Sequence, residues 1–217
     1  MKNESRELLI KSKKRVRDHG EVFTPDWVVE AMLDLVKAET ENIDAKFLEP
    51  ACGEGNFLVK VLERKLRAAA AKYKNQFEYE KNAFLAAGSL YGIDLLEDNV
   101  LKTRKRLFGT FRAKYEKLYP QSWKKEFLKS IQFVLSKNIV QGDALTMLND
   151  KSEPIIFSQW SIIKTAKVKR VDFSFAEILK KESMKKGLFA EMETKDLGLK
   201  PIKEHPPVSF YELGVDF

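Results

Sequence analysis

The chain of 217 residues carries one cysteine, Cys52, and two histidines. A single thiol excludes an internal disulfide framework and a cysteine-rich zinc site, and two imidazoles cannot build a metal centre from histidine alone. Cys52 has acidic rather than basic neighbours, which do not activate a thiol, so it reads as a small packing residue. No hydrophobic run is long enough to cross a bilayer and no signal peptide opens the sequence, which points to a cytoplasmic protein. Internal repeats and low-complexity segments are absent as well. The remaining composition, 44% hydrophobic and 33% charged, suits a globular chain with one good core and too little length for two full domains.

Negative charge is also short. Against 39 Lys and Arg stand 32 Asp and Glu, a net charge of +7, and the surplus clusters at residues 11–17, 102–125 and 164–170. The second cluster interleaves Phe108, Phe111, Tyr115, Tyr119 and Trp123 with its cations. Basic stripes with aromatic neighbours suit a nucleic-acid backbone, bound weakly and without sequence preference. The competing reading, which the three- and four-residue spacing favours, is a solvated helix face whose aromatics form the buried side.

Along the chain, residues 1–20 read as a basic helix or tail. A helix follows over 24–39, with Thr24 placed to cap, Pro25 at the first helical position, Asp26 in the first turn, and Val28, Met32 and Leu35 on one face. Residues 45–50 form a short apolar strand, and a long helix over 56–80 carries Phe57, Val61 and Leu62 on its apolar side. A further helix over 82–88 leads into a strand ending at Asp94, and a third strand ends near Asp143. Strand and helix alternating in this way predict an α/β fold with a parallel sheet.

Between the first strand and the long helix lies "FLEPACGEGNFL", Phe47 to Leu58. Gly53 and Gly55 let the backbone curl and press its amides against a ligand at the helix start. The third glycine of a dinucleotide fingerprint is replaced by Leu58, and the lysine ending of a phosphate loop is missing. Glu49 and Glu54 flank the turn with no cation between them, which repels a pyrophosphate and welcomes a ligand bearing an ammonium and a sulfonium. The turn therefore suits S-adenosylmethionine. In a doubly wound sheet ligands lie beyond the carboxyl ends of the strands, so Glu49, Asp94 and Asp143 should converge on one crevice. Asp94 can accept from both ribose hydroxyls and Asp143 from an adenine amino group, with Leu95 and Ala144 or Leu145 over the two faces of the ring.

The segments "HGEVFTPDWVVEAML", "FLEPACGEGNFL", "YGIDLLEDN" and "NIVQGDAL" resemble, in content and order, the cofactor-binding motifs of adenine-N6 DNA methyltransferases of bacterial restriction-modification systems. The resemblance covers residues 20–145 and implies a Rossmann-like S-adenosylmethionine-dependent methyltransferase fold. It places Phe23, Thr24 and Pro25 over the methionine end of the cofactor. Glu49, Pro50, Ala51, Gly53, Gly55 and Phe57 fall around its amino-acid portion, and Asp94, Leu95, Asp143 and Ala144 at the ribose and adenine. The stretch from Gly55 to Asp94 is longer than the twenty or so residues of a dinucleotide fold, which an inserted helix accounts for.

One family motif is absent. The "NPPY"-type loop, whose polar groups hold the target amino group and whose ring stacks on the flipped base, has no counterpart here. The nearest string, "KEHPPVSFY", puts His205 and Val208 at the decisive places and reads as an extended tail. No catalytic residue is therefore assigned. The expected organisation is a basic segment at 1–20, a cofactor domain at 21–150 and a basic, apolar extension at 151–217. The sheet is incomplete, its edge partly covered by Phe157, Trp160, Ile162 and Ile163 or completed by a second polypeptide. The function read from this is the cofactor-binding portion of an adenine-N6 methyltransferase, inactive alone, with DNA as partner and neither metal nor membrane. Two alternatives stay open: a non-catalytic protein for which cofactor or DNA is a regulatory ligand, and a methyltransferase acting on RNA or a small molecule.

Overall fold

A computed structural model describes residues 11–19, 21–22, 24–185 and 200–214. Three short strands, β1 (Phe47–Glu49), β2 (Leu90–Asp94) and β3 (Ile139–Gln141), form a parallel sheet in the order β1-β2-β3. The register sets Glu49 beside Gly92 and Asp94 beside Gln141, so all three strands deliver their carboxyl ends to one rim. Parallel neighbours need long crossovers. Helices α4 (Asn56–Lys72) and α5 (Gln76–Gly88) make the first, and α6 (Glu97–Leu118) and α7 (Lys125–Asn138) the second. Before the sheet come α1 (Lys13–His19), α2 (Asp26–Leu35) and α3 (Lys37–Glu41).

The core is continuous through the four crossover helices. Leu58, Leu62 and Leu66 of α4, Phe84 of α5, Leu107 and Phe111 of α6 and Phe127 and Ile131 of α7 are all fully buried in it. At about 25 cal/mol per Å² of apolar area removed from water, side chains of this size contribute about 1.5–3 kcal/mol each. Helix α4 lies between α6 on one side and α2 on the other. The approach to the end strand β1 is held by Lys65 of α4, whose ammonium donates to the carbonyls of Ile43 and Ala45 and to Ser89 Oγ.

Four local expectations are corrected. The single helix over 56–80 is two, because Asn75 turns its carboxamide onto the amides of Phe77 and Glu78 and starts α5 afresh; an N-cap of this kind satisfies donors that a continuous helix would not expose. The expected helix at 82–88 is the second half of α5. Thr24 does not cap α2: Pro25 takes that place, its carbonyl accepting from Val28 and Val29. The buried stripe of α2 is Val29 and Leu33, whereas Met32 and Leu35 are exposed. The helix carries two apolar stripes, and the one used is set by charge, since Asp26, Glu30 and Asp34 reach Lys60 and Arg64 of α4.

After β3 the chain builds a second, antiparallel sheet that the sequence did not suggest. Strands β4 (Ile156–Lys164) and β5 (Lys167–Ser174) form a hairpin, α8 (Phe175–Lys185) follows, and β6 (Lys203–Glu204) and β7 (Val208–Ser209) both pair with β5. Phe157 and Phe175 pack with Tyr91 and Ile93 on a face of β2, and Trp160 packs edge-on to Phe84. Phe157 and Trp160 thus pack on a sheet face and on a helix rather than along a strand edge. The "KEHPPVSFY" segment is extended but not loose: His205 meets Asp172 at 2.9 Å and Phe210 is fully buried. Tyr211 and Lys124 both bond to the buried Glu80, which ties this segment to α5.

Candidate cofactor site

At the carboxyl rim of the parallel sheet lies a cavity of about 470 Å³. Of the residues singled out from the sequence, Thr24, Glu49, Pro50, Ala51, Gly53, Phe57, Asp94, Leu95, Asp143, Ala144 and Leu145 line it. Pro25 and Gly55 are not on its wall, and Phe23 lies outside the described residues. Glu21, Val22, Asn56 and Asn99 also line it and were not anticipated.

The turn owes its shape to local chemistry. Gly53 and Gly55 both have left-handed φ, 52° and 80°, a region that side chains other than glycine's rarely adopt. The Cys52 amide bonds to Ile93 O at 2.8 Å and the Gly55 amide returns to Cys52 O at 2.7 Å. A Cβ on Gly55 would meet Thr103 Cγ2 at 2.7 Å, while Thr103 Oγ1 donates to Gly53 O at 2.9 Å. Gly55 therefore lets α6 approach the turn, a packing role, whereas Gly53 faces the cavity. Cys52 is buried, and burial, with Asp94 and Glu49 close by, pushes its thiol up to about 12. Burial and these carboxylates hold the thiol in its neutral form, as expected of a packing residue.

Asp94 is engaged inside the protein. Its Oδ2 accepts from Gly53 N at 2.8 Å, and its Oδ1 from Leu96 N at 2.9 Å and Asn99 Nδ2 at 3.1 Å. It orders the turn as well as lining the cavity. A carboxylate has about four acceptor positions, so one remains beside these three. Asp143 spends Oδ1 on the amide of Leu145 at 2.8 Å, an Asx turn that bends the chain around the cavity.

The two carboxylates that flank the turn differ in their surroundings. Glu54 pairs with Lys102 at 2.8 Å and Lys11 at 3.1 Å; burial works against its charge, but these cations outweigh it and lower its pKa. Its negative charge is answered within the protein. Among the described residues no such cation pairs with Glu49, and burial raises its pKa against a bond from the Ala51 amide. Glu49 is thus the carboxylate of the turn whose desolvation a cationic ligand would relieve.

A second acidic group closes the rim. Asn99 donates to Glu21 Oε1 at 2.6 Å as well as to Asp94, and Arg15 binds Glu21 and Asp98. Lys11 adds bonds to Asp98 and Asn99. The basic segment at 11–17 therefore spends Lys11 and Arg15 on the rim of the cavity. In the middle basic stretch, Arg104 donates to the carbonyls of Ile139 and Ser136, and Arg106 to Glu54 O and Asn56 Oδ1. Phe111 and Tyr115 are fully buried. That stretch is a helix face with an aromatic core side, and Arg104 and Arg106, like Lys102 at Glu54 and Lys124 at Glu80, are engaged within the protein.

Residues 7–94 match the family model of N-6 DNA methylases. The matched stretch is an N-terminal portion that includes the glycine turn and Asp94, and it agrees with the resemblance to adenine-N6 DNA methyltransferases carried by the sequence motifs. Asp143 and the antiparallel sheet lie beyond the match. No curated protein and no solved structure matches the chain. Among the described residues no helix is long and apolar enough to cross a membrane, and no cluster of His, Cys, Asp and Glu is arranged to hold a metal ion.

Proposed function

We propose that the chain is the S-adenosylmethionine-binding portion of an adenine-N6 DNA methyltransferase of restriction-modification type, and that alone it transfers no methyl group. The observation that carries this reading is the single cavity on which Glu49, the Gly53 turn, Asp94 and Asp143 converge. The residues fit the cofactor's chemistry. Glu49 is a desolvated carboxylate suited to an ammonium, the remaining acceptor position of Asp94 suits a ribose hydroxyl, and exposed Leu95 and Leu145 offer apolar faces for a purine. When bound, the cofactor supplies an electrophilic methyl group; this chain's part is to hold it, orient it and shield it on the sheet side.

The exocyclic nitrogen of adenine shares its lone pair with the ring, so it attacks poorly until acceptors hold its hydrogens. Those acceptors must be in place when the reacting atoms are within about 3–3.5 Å, since positioning supplies much of the rate enhancement. The described residues offer none at the cavity mouth in the form of a polar residue before Pro-Pro-aromatic, and the one Pro-Pro sequence is spent on β5 and Asp172. DNA is held weakly, by exposed lysines acting on phosphates without reading bases. The test is incubation with radiolabelled S-adenosylmethionine and varied DNA. Binding without label in the DNA is expected; label at adenine N6 from the purified chain would overturn the claim of inactivity.

A further inference from the structure

Two features of the parallel sheet do not close on themselves. The first is β1. Among the described residues β2 is its only strand partner, and Leu48, on the outward-facing register of the strand, is 37% exposed. In the parallel ladder Phe47 and Glu49 direct their backbone groups to β2, so the amide and carbonyl of Leu48 point to the open side.

The second is α2. Helices α6, α4 and α2 lie side by side, with α6 over β2 and β3 and α4 over β1 and β2. Neighbouring helices stand about 8–10 Å apart whereas strands stand about 4.8 Å apart, so α2 overhangs β1 by about 7 Å, above room for one or two further strands. The wheel shows which side of α2 looks into that room. Asp26, Glu30 and Asp34 pair with Lys60 and Arg64, which at 3.6 residues per turn stand on the side of α4 away from its buried Leu58, Leu62 and Ala69. The acidic flank of α2 is therefore its outer one. Val28, Met32 and Leu35 occupy the opposite flank, at the level of the sheet, and Met32 is 47% and Leu35 86% exposed. Among the described residues, an apolar stripe as regular as the buried one is left exposed beside a strand edge that no other strand pairs.

We infer that the β1 edge and the lower flank of α2 are the docking surface for an extended segment of a second polypeptide, which adds a strand beside Leu48 and beneath Met32 and Leu35. A second copy of this chain does not fit. Pairing two β1 strands antiparallel about a two-fold axis sets them about 4.8 Å apart, and the overhang would then drive α2 of each copy into α4 of the other. The occupant brings strands and no helix on this face, with consecutive apolar side chains pointing in turn toward α2 and toward the opposite, Leu48 face of the sheet. The end of such a strand lies level with Glu49, at the cavity rim. On the function proposed above, that places the acceptors this chain lacks at the cofactor; the docking itself does not depend on that reading.

The test installs the photo-crosslinking residue p-benzoylphenylalanine at Leu48, at Leu35 and, as a control, at exposed Leu101, in the cells that make the protein. One polypeptide is expected to be captured from both 48 and 35 and not from 101, through residues of a single apolar segment. Added back in purified form, it should slow hydrogen exchange at the Leu48 amide. Leu48→Pro, which removes an outward donor and spares the β1–β2 ladder, and Met32→Asp with Leu35→Asp should each weaken that complex at least tenfold while leaving S-adenosylmethionine affinity unchanged. Capture of a second copy, a cross-link within the chain, or no cross-link at 48 would overturn the inference. A complex that forms as described while the cofactor fails to bind would instead refute the proposed function and leave the docking surface standing.

Discussion

Replacing Gly55 by alanine tests whether the turn is held as its neighbours imply. The backbone there has φ of 80°, where a Cβ costs about 1–2 kcal/mol. The added carbon would also sit 2.7 Å from Thr103 Cγ2 and 3.0 Å from Oγ1. Overpacking of this kind costs about 1–3 kcal/mol, so Gly55→Ala should lose about 2–5 kcal/mol in all. That is a large part of the roughly 5–15 kcal/mol available to a domain. Thr103→Ser removes the offending methyl but keeps the hydroxyl that donates to Gly53 O. In a double-mutant cycle followed by urea denaturation, the pair should couple favourably by about 1–2 kcal/mol, the strain at φ remaining. A Gly55→Ala protein as stable as the parent, or a double mutant no better than the sum of the singles, would refute the proposed packing of α6 on the turn.

Other outcomes follow from the electrostatics. Glu49 has a raised pKa from burial, so the folded state takes up its proton sooner than the unfolded state, and the ionised group costs stability above its folded pKa. Glu49→Gln should therefore melt no lower than the parent at pH 7, lose that advantage as pH falls through the ordinary carboxylate range, and bind S-adenosylmethionine more weakly; a variant less stable at pH 7 contradicts the sign. Lys11 and Arg15 hold α1 by partly exposed pairs worth about 0–1 kcal/mol each. Replacing both by alanine should speed hydrogen exchange across α1 in low salt with little change in global melting. Salt at about 0.5 M, where the Debye length falls to about 4 Å, should reproduce the effect in the parent by screening such pairs. For DNA, charge reversal at exposed Lys105, Lys114 and Lys117 should reduce the slope of affinity against salt by about 0.9 for each phosphate that is no longer neutralised. Arg104→Glu should instead disturb the fold, because its guanidinium serves Ile139 and Ser136 carbonyls; a well-folded Arg104→Glu with altered DNA binding would show the assignment of that arginine to be mistaken.

The elements legible in the sequence were those whose chemistry is local. The strand ends at Glu49 and Asp94 and the left-handed Gly53 and Gly55 each announce themselves within a few residues. The break before α5 was missed because no proline marks it, although Asn75 followed three residues later by Glu78 is a start signal of the kind that opens a helix. Which stripe of α2 would be buried could not be read from α2, since Lys60 and Arg64 on another helix decide it. The hairpin of β4 and β5 is local, pairing Lys164 with Lys167, but no Asn-Gly type turn announces it, and its platform of Tyr91 and Ile93 lies far from it in the sequence. At the site, Asn99 stood inside the quoted "YGIDLLEDN" but carries no signal of its own. Its importance lies in joining Asp94 to Glu21, 78 residues away. The pairing of Glu54 with Lys11 and Lys102 was hidden for the same reason.

The central claim is that the cavity at the sheet's carboxyl rim holds S-adenosylmethionine, and calorimetric titration of the purified chain with the cofactor and with its demethylated product tests it most directly. One saturable site is expected for each, with a melting temperature that rises with ligand concentration because only the folded state binds, and a weaker site in Glu49→Gln and Asp94→Asn proteins that remain folded. A folded chain that gives no binding heat and no melting shift at millimolar cofactor would contradict it.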